Sequence, residues 1–142
     1  LPPPSRRGLV LIDPSYEIKS DYGRVADCVQ ESLRRFATGT YMVWYPVIPR
    51  PEAHELPRRL KTLTQQAGKP WLHATLHIGQ SPARAKTHTP GEAEPRQGLT
   101  ASGVFVVNPP HTLKAALQEA LPQVLEVLGR GRGQAQLVEA GG

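Results

Sequence analysis

Gly8-Leu9-Val10-Leu11-Ile12-Asp13-Pro14-Ser15-Tyr16 is the stretch on which the reading of this chain turns. A short apolar run without polar alternation marks a buried strand of a parallel sheet. Asp13-Pro14 ends the run, because proline has no N–H to give to a strand ladder. The strand thus delivers a carboxylate, a rigid carbonyl and an aromatic ring to the carboxyl edge of the sheet. Open α/β sheets bind their ligands at that edge.

Working outward, Tyr22, Val25, Val29, Leu33 and Phe36 recur at three- and four-residue spacing, which predicts a helix over 21–36 capped by Ser20 or Asp21. Cys28 lies beside that stripe and reads as a small packed hydrophobe. Tyr41-Met42-Val43-Trp44-Tyr45 predicts a second strand, ended by Pro46. Leu56, Leu60, Leu63 and Ala67 predict a second helix whose true start falls near Pro57, since a proline deep inside would break the hydrogen-bond ladder. Over 71–79, Leu72, Ala74, Leu76 and Ile78 alternate with His73, Thr75 and His77, the period of a half-covered strand. The two histidines lie four apart on that strand, ~13 Å at ~3.3 Å per residue, too far to share a metal ion, and read as surface residues.

Residues 80–101 show no apolar period and predict a long loop, of the length at which loops are functional or mobile. Val104-Phe105-Val106-Val107 predicts a fourth strand, and Leu113, Leu117, Leu121, Val124 and Leu128 a final helix kinked or split at Pro122. Gly129-Arg130-Gly131-Arg132-Gly133 follows a helix instead of opening one, so residues 129–142 read as a flexible tail able to touch phosphate. Strands alternating with helices predict an α/β domain over 1–128 built on a mostly parallel sheet.

The 142 residues suffice for one core. A net charge of +5 favours a polyanionic partner, although a basic surface alone fits it equally well. No apolar run approaches the ~18 to 20 residues of a membrane span. One cysteine excludes an internal disulfide, and a reducing cytoplasm is the expected location. The chain opens Leu1-Pro2-Pro3-Pro4 without an initiator methionine, which is expected of part of a longer protein.

The groups at the strand end suit one chemistry in particular. An adenine amine is a poor nucleophile because its lone pair is delocalised into the ring. If Asp13 and the Pro14 carbonyl both accept its hydrogens, the lone pair is aimed at an incoming methyl group and the developing positive charge is stabilised. Tyr16 could stack on the base once it leaves its helix. The same tetrapeptide also fits an ordinary turn, with Asp13 bonding locally and Tyr16 capping the core.

Ser5-Arg6-Arg7-Gly8, Asp13-Pro14-Ser15-Tyr16-Glu17, Arg35-Phe36-Ala37-Thr38-Gly39, Trp44-Tyr45-Pro46-Val47, Gly98-Leu99-Thr100-Ala101-Ser102-Gly103 and Val107-Asn108-Pro109-Pro110, in that order, resemble the bacterial 23S ribosomal RNA adenine-N6 methyltransferase family, RlmJ-like. The resemblance runs to about Leu128. It implies a class I, Rossmann-like fold that uses S-adenosyl-L-methionine, with Asp13 as catalytic acceptor bordering the cofactor and Pro14 and Tyr16 completing the motif. The usual motif is Asp-Pro-Pro-Tyr, and Ser15 departs from it. The glycine-rich cofactor loop and the acidic ribose contact have no counterpart in this chain. By resemblance the chain is therefore the carboxyl-terminal half of the domain, strands four to seven, mostly parallel with one antiparallel strand, and inactive alone.

Arg6, Arg7, Lys19, Arg34 and Arg35 are candidate contacts to the phosphates of 23S ribosomal RNA. The outer edge of the first strand should be covered by the missing amino-terminal half or by a mate, because a bare edge offers unpaired backbone groups. A non-catalytic nucleic-acid-binding module derived from this fold, or a DNA adenine-N6 methyltransferase, are the alternative functions.

Overall fold

A computed structural model describes residues 2–80 and 98–142. Five strands, β1 (Leu9–Ile12), β2 (Thr40–Pro46), β3 (Trp71–Gln80), β4 (Ala101–Val107) and β5 (Arg132–Gly141), form one mixed sheet in the order β1-β2-β4-β3-β5. Three helices, α1 (Ser20–Arg35), α2 (Pro51–Gln66) and α3 (Leu113–Leu128), cover it. The chain is α/β, as the sequence predicts.

The sheet is less parallel than expected. Only β1 and β2 pair in parallel, and β4 runs antiparallel to both β2 and β3 while β5 runs antiparallel to β3. Two strands are thus antiparallel, not one. The second is β5, which replaces the expected tail at 129–142. A helical crossover makes the strands it joins parallel, and α3 accordingly joins β4 to a β5 of the same direction, with β3 lying between them. β5 escapes a reading by composition because it is an edge strand, exposed along most of its length, with Val138 its only β-branched residue.

Each face has its own core. α1 and α2 bury Val25, Val29, Leu33, Leu56, Leu60 and Leu63 against Tyr41, Val43, Tyr45, Trp71, Phe105 and Val107. On the opposite face Leu113, Leu117 and Leu121 of α3 pack on Leu72, Ala74 and Val106. Burying each such side chain is worth roughly 1.5–3 kcal/mol, enough to override local propensity. So α2 runs through Pro57, starting at Pro51 with proline at its first turn and burying Ala53 and Leu56 on the way. α3 likewise continues through Pro122. α1 starts one residue earlier than expected, and no side chain caps it. At its other end the Tyr41 hydroxyl sits 3.0 Å from the Ser32 carbonyl and 2.6 Å from the Phe36 carbonyl, satisfying the helix terminus from β2.

β1 is parallel but not buried. It pairs with β2 and with no other strand among the described residues, leaving Leu9 63%, Val10 37% and Leu11 62% exposed. Pro82 to Arg96 of the expected 80–101 loop lie outside the described residues.

His73 is not a surface residue. It is half-buried, its Nε2 lies 2.5 Å from the Tyr45 hydroxyl, and the two rings stack with centroids 5.9 Å apart. Burial lowers the His73 pKa, Glu139 opposes the shift and Lys61 adds to it. Tyr45 reaches across because its register partner on β4 is Gly103. A Cβ there would overlap the Tyr45 ring. Gly103→Ala should therefore destabilise the protein by about 1–3 kcal/mol, read as a lower urea midpoint with an unchanged slope. Wild-type stability in that variant would show that the ring yields.

Candidate active site

β1 and β2 run in the same direction, so their carboxyl ends meet on one edge of the sheet. Residues 13–19 cross that edge from β1 into α1, and residues 47–50 cross it from β2 into α2. Asp13 and Pro14 line an open cleft of about 310 Å³ together with Ile12 and, from α1, Asp21, Arg24, Val25 and Cys28. Asp13 is exposed and Pro14 half-buried. Asp13 and Pro14, the two expected acceptor residues, thus both line this depression.

Tyr16 does not stand with them. Its ring is 2% exposed and belongs to the core, packed on Tyr22 at 4.7 Å and Trp44 at 6.4 Å between centroids. Its hydroxyl donates to the Trp44 carbonyl at 2.6 Å. Burial, and next the neighbouring charge of Asp13, push this phenol far above its usual range, so it stays a donor. The expectation that Tyr16 stacks on a base is corrected accordingly: in this fold the ring has no free face.

What Tyr16 does is hold the turn. Its φ of 55° lies in the left-handed region, which costs a non-glycine residue about 1–2 kcal/mol. Two contacts, one from β2 and one from the β2–α2 connection, offset that cost. One is the Trp44 carbonyl; the other is Arg50, whose Nη1 donates to the Tyr16 carbonyl at 3.0 Å. Burial raises the pKa of the Tyr22 hydroxyl, and the Arg50 guanidinium opposes that shift.

The five expected phosphate contacts divide between two ends of the sheet. Lys19 lies at the motif end, 3.9 Å from Glu52. Arg34 and Arg35 close α1 and pair with Glu31 at 3.7 and 2.7 Å. A 16-residue helix is ~24 Å long, so these two are far from Asp13. Arg6 and Arg7 precede β1 and share that far end. Cys28, expected to pack, is exposed and lines the cleft.

The sequence does not single out Arg24 or Arg50, and it marks Asp21 only as a helix cap. For Arg50 a signal existed in Pro49-Arg50-Pro51, which confines the backbone on both sides of one cation.

The family model described as "RsmJ: Ribosomal RNA large subunit methyltransferase D, RlmJ" matches residues 1–139. The chain belongs to this family. It is 39% identical over 128 residues to the Ribosomal RNA large subunit methyltransferase J of Haemophilus influenzae and 38% identical over 122 residues to that of Escherichia coli. Those alignments cover 90% and 86% of the chain but 40% and 38% of the relatives' own lengths. A crystal structure of a Legionella pneumophila protein superposes with a TM-score of 0.78 at 27% identity, covering 99% of this chain and 46% of that one. The fold described above is therefore shared by a solved structure over nearly all its length.

Tyr16→Phe should keep the ring and lose the bond to Trp44, costing about 0.5–1.5 kcal/mol in urea denaturation and raising hydrogen exchange over residues 13–19. Unchanged stability and exchange would show that the hydroxyl does not hold the turn.

Proposed function

We propose that the full-length protein transfers a methyl group from S-adenosyl-L-methionine to the N6 amine of one adenine in 23S ribosomal RNA, and that this chain supplies the groups that hold that amine. The reading is carried by one observation: in a member of this family, Asp13 and Pro14 both line an open cleft at the carboxyl edge of the sheet. The location would be cytoplasmic, where ribosomal RNA matures.

The amine's two hydrogens are donated to the Asp13 carboxylate and the Pro14 carbonyl. That pairing fixes the direction of the nitrogen lone pair, and Asp13 stabilises the positive charge as the new N–C bond forms. Tyr16 acts behind them by fixing the turn. Cofactor chemistry fits the donor set present: Asp13, Asp21 and Arg24 give the cleft two carboxylates and one guanidinium, partners for the ammonium and the carboxylate of a zwitterionic amino-acid end, and Asp13 would border it. When bound, the cofactor supplies an electrophilic methyl group.

The rest of the cofactor site would come from residues outside this chain. The chain spans about two fifths of its relatives' length, and β1 leaves an unpaired outer edge with exposed Leu9 and Leu11. We assign β1 to β4 to strands four to seven of a class I sheet, with β4 as the antiparallel member and β5 an addition. The missing amino-terminal half would then pair with β1; a mate of another kind on that edge is the other possible cover.

The test compares full-length wild-type protein and Asp13→Ala on unmodified 23S RNA, with N6-methyladenosine counted by mass spectrometry. Wild-type transfer with a loss of about 10²–10³-fold in the variant is expected. Transfer to DNA in preference to RNA would favour the DNA enzyme, and no transfer to either would favour a binding module. Residues 1–142 alone should transfer nothing. Ser15→Pro should raise kcat, because a proline there restricts both its own φ and the conformation of Pro14.

A further inference from the structure

We propose that Arg50 is a positioning residue of the active site: by donating to the Tyr16 carbonyl it holds the Pro14–Tyr16 turn in the form that presents Asp13 and the Pro14 carbonyl to the substrate amine. The inference rests on the function proposed above and names a residue outside the motif on which that function depends.

Three observations converge on it. Arg50 reaches across 34 residues of sequence to a main-chain oxygen of the motif, at 3.0 Å and half-buried. A charged donor on a carbonyl is stronger than a neutral one, and partial burial limits its screening. The residue it holds is in the left-handed region, a conformation that an aromatic side chain keeps only under external restraint.

The third observation is that Arg50 is itself fixed. It stands between Pro49 and Pro51 with φ −134° and ψ 127°, the extended form required of a residue before proline. Its N–H donates to the Ile48 carbonyl at 2.7 Å, and its carbonyl accepts from Ala53 N–H at 3.1 Å to open α2. The guanidinium is therefore aimed by a backbone with little freedom.

The two anchors of the turn divide the work. Tyr16 OH on the Trp44 carbonyl fixes the side chain and hence the depth of the motif. Arg50 on the Tyr16 carbonyl fixes the peptide plane after Tyr16 and hence its ψ, which keeps the residue in the left-handed well. Removing Arg50 leaves the ring buried while the main chain of residues 14–17 relaxes towards a right-handed or extended form. A displacement of about 1 Å at a reacting group can cost 10²-fold in rate without weakening binding.

The experiment uses the full-length protein with Arg50→Ala and Arg50→Lys. It reads single-turnover methyl transfer at saturating RNA, affinity for S-adenosylhomocysteine by calorimetry, and hydrogen exchange by peptide. For Arg50→Ala, kcat should fall about 10- to 100-fold while S-adenosylhomocysteine and RNA affinities stay within about twofold, with exchange rising over residues 13–19 and not over β4. Arg50→Lys keeps one donor and should recover part of both kcat and protection.

If Arg50→Ala fails to fold, Arg50→Lys decides alone: reduced kcat with raised exchange confined to 13–19 supports the role. Unchanged kcat and exchange in a variant of an active wild-type enzyme would overturn the inference and leave the methyltransferase reading intact. A parallel loss of S-adenosylhomocysteine affinity would overturn it in favour of a cofactor contact. A wild-type protein without transfer to adenine would overturn it by removing the function on which it rests.

Discussion

The burial of Tyr16 under the carboxyl edge of the sheet is the constraint on which the rest of the site depends. β1 ends in the open and would present Asp13 and Pro14 on a loose turn were the chain not tied down three residues later. The tie is a ring held among Tyr22 and Trp44, with its hydroxyl on a main-chain oxygen of β2. The left-handed φ at Tyr16 is the strain this accepts. Strain of that size persists at functional sites because surrounding contacts over-determine it, and here the two contacts come from Trp44 at the end of β2 and Arg50 in the connection that leaves it. The parallel pairing of β1 with β2 matters for the same reason, since it brings the two connections to one edge.

Much of the fold was legible in the sequence, and the exceptions have physical causes. Apolar runs located β1, β2 and β4, the alternation over 71–79 located β3, and the three- and four-residue stripes located α1, α2 and α3. Pro57 misled because burial of Ala53 and Leu56 on the face of α2 outweighs one lost hydrogen bond, while α3 runs past Pro122 without splitting. β5 was read as a tail because Arg132 to Gly141 are the residues of an exposed edge, whose ladder to β3 asks nothing of its side chains. His73 looked like the outer face of a half-covered strand, and the missing information was Gly103 opposite Tyr45, which lets a phenol cross to it.

The site was legible in part. Asp13 and Pro14 stand where a strand ended by Asp-Pro should put them. The role of Tyr16 was misread, because an aromatic residue beside an acceptor pair suggests stacking while its φ and burial depend on contacts about thirty residues away in sequence. Arg50 carries a local signal in its two flanking prolines, but its contact with the Tyr16 carbonyl spans 34 residues of sequence and does not follow from them. The basic residues share only their charge in the sequence, and charge there carries no direction; α1 separates Lys19 from Arg34 and Arg35 by its whole length.

The account's central claim is that Asp13 and the Pro14 carbonyl are the acceptors of an adenine amine and that Tyr16 stays beneath them. It is tested most directly by a crystal structure of the full-length protein with an adenine nucleotide and S-adenosylhomocysteine. The account predicts the N6 nitrogen at about 2.7–3.2 Å from both Asp13 Oδ and the Pro14 oxygen, with the Tyr16 hydroxyl still on the Trp44 carbonyl. An adenine bound elsewhere, or a Tyr16 ring swung out to stack on the base, would contradict it.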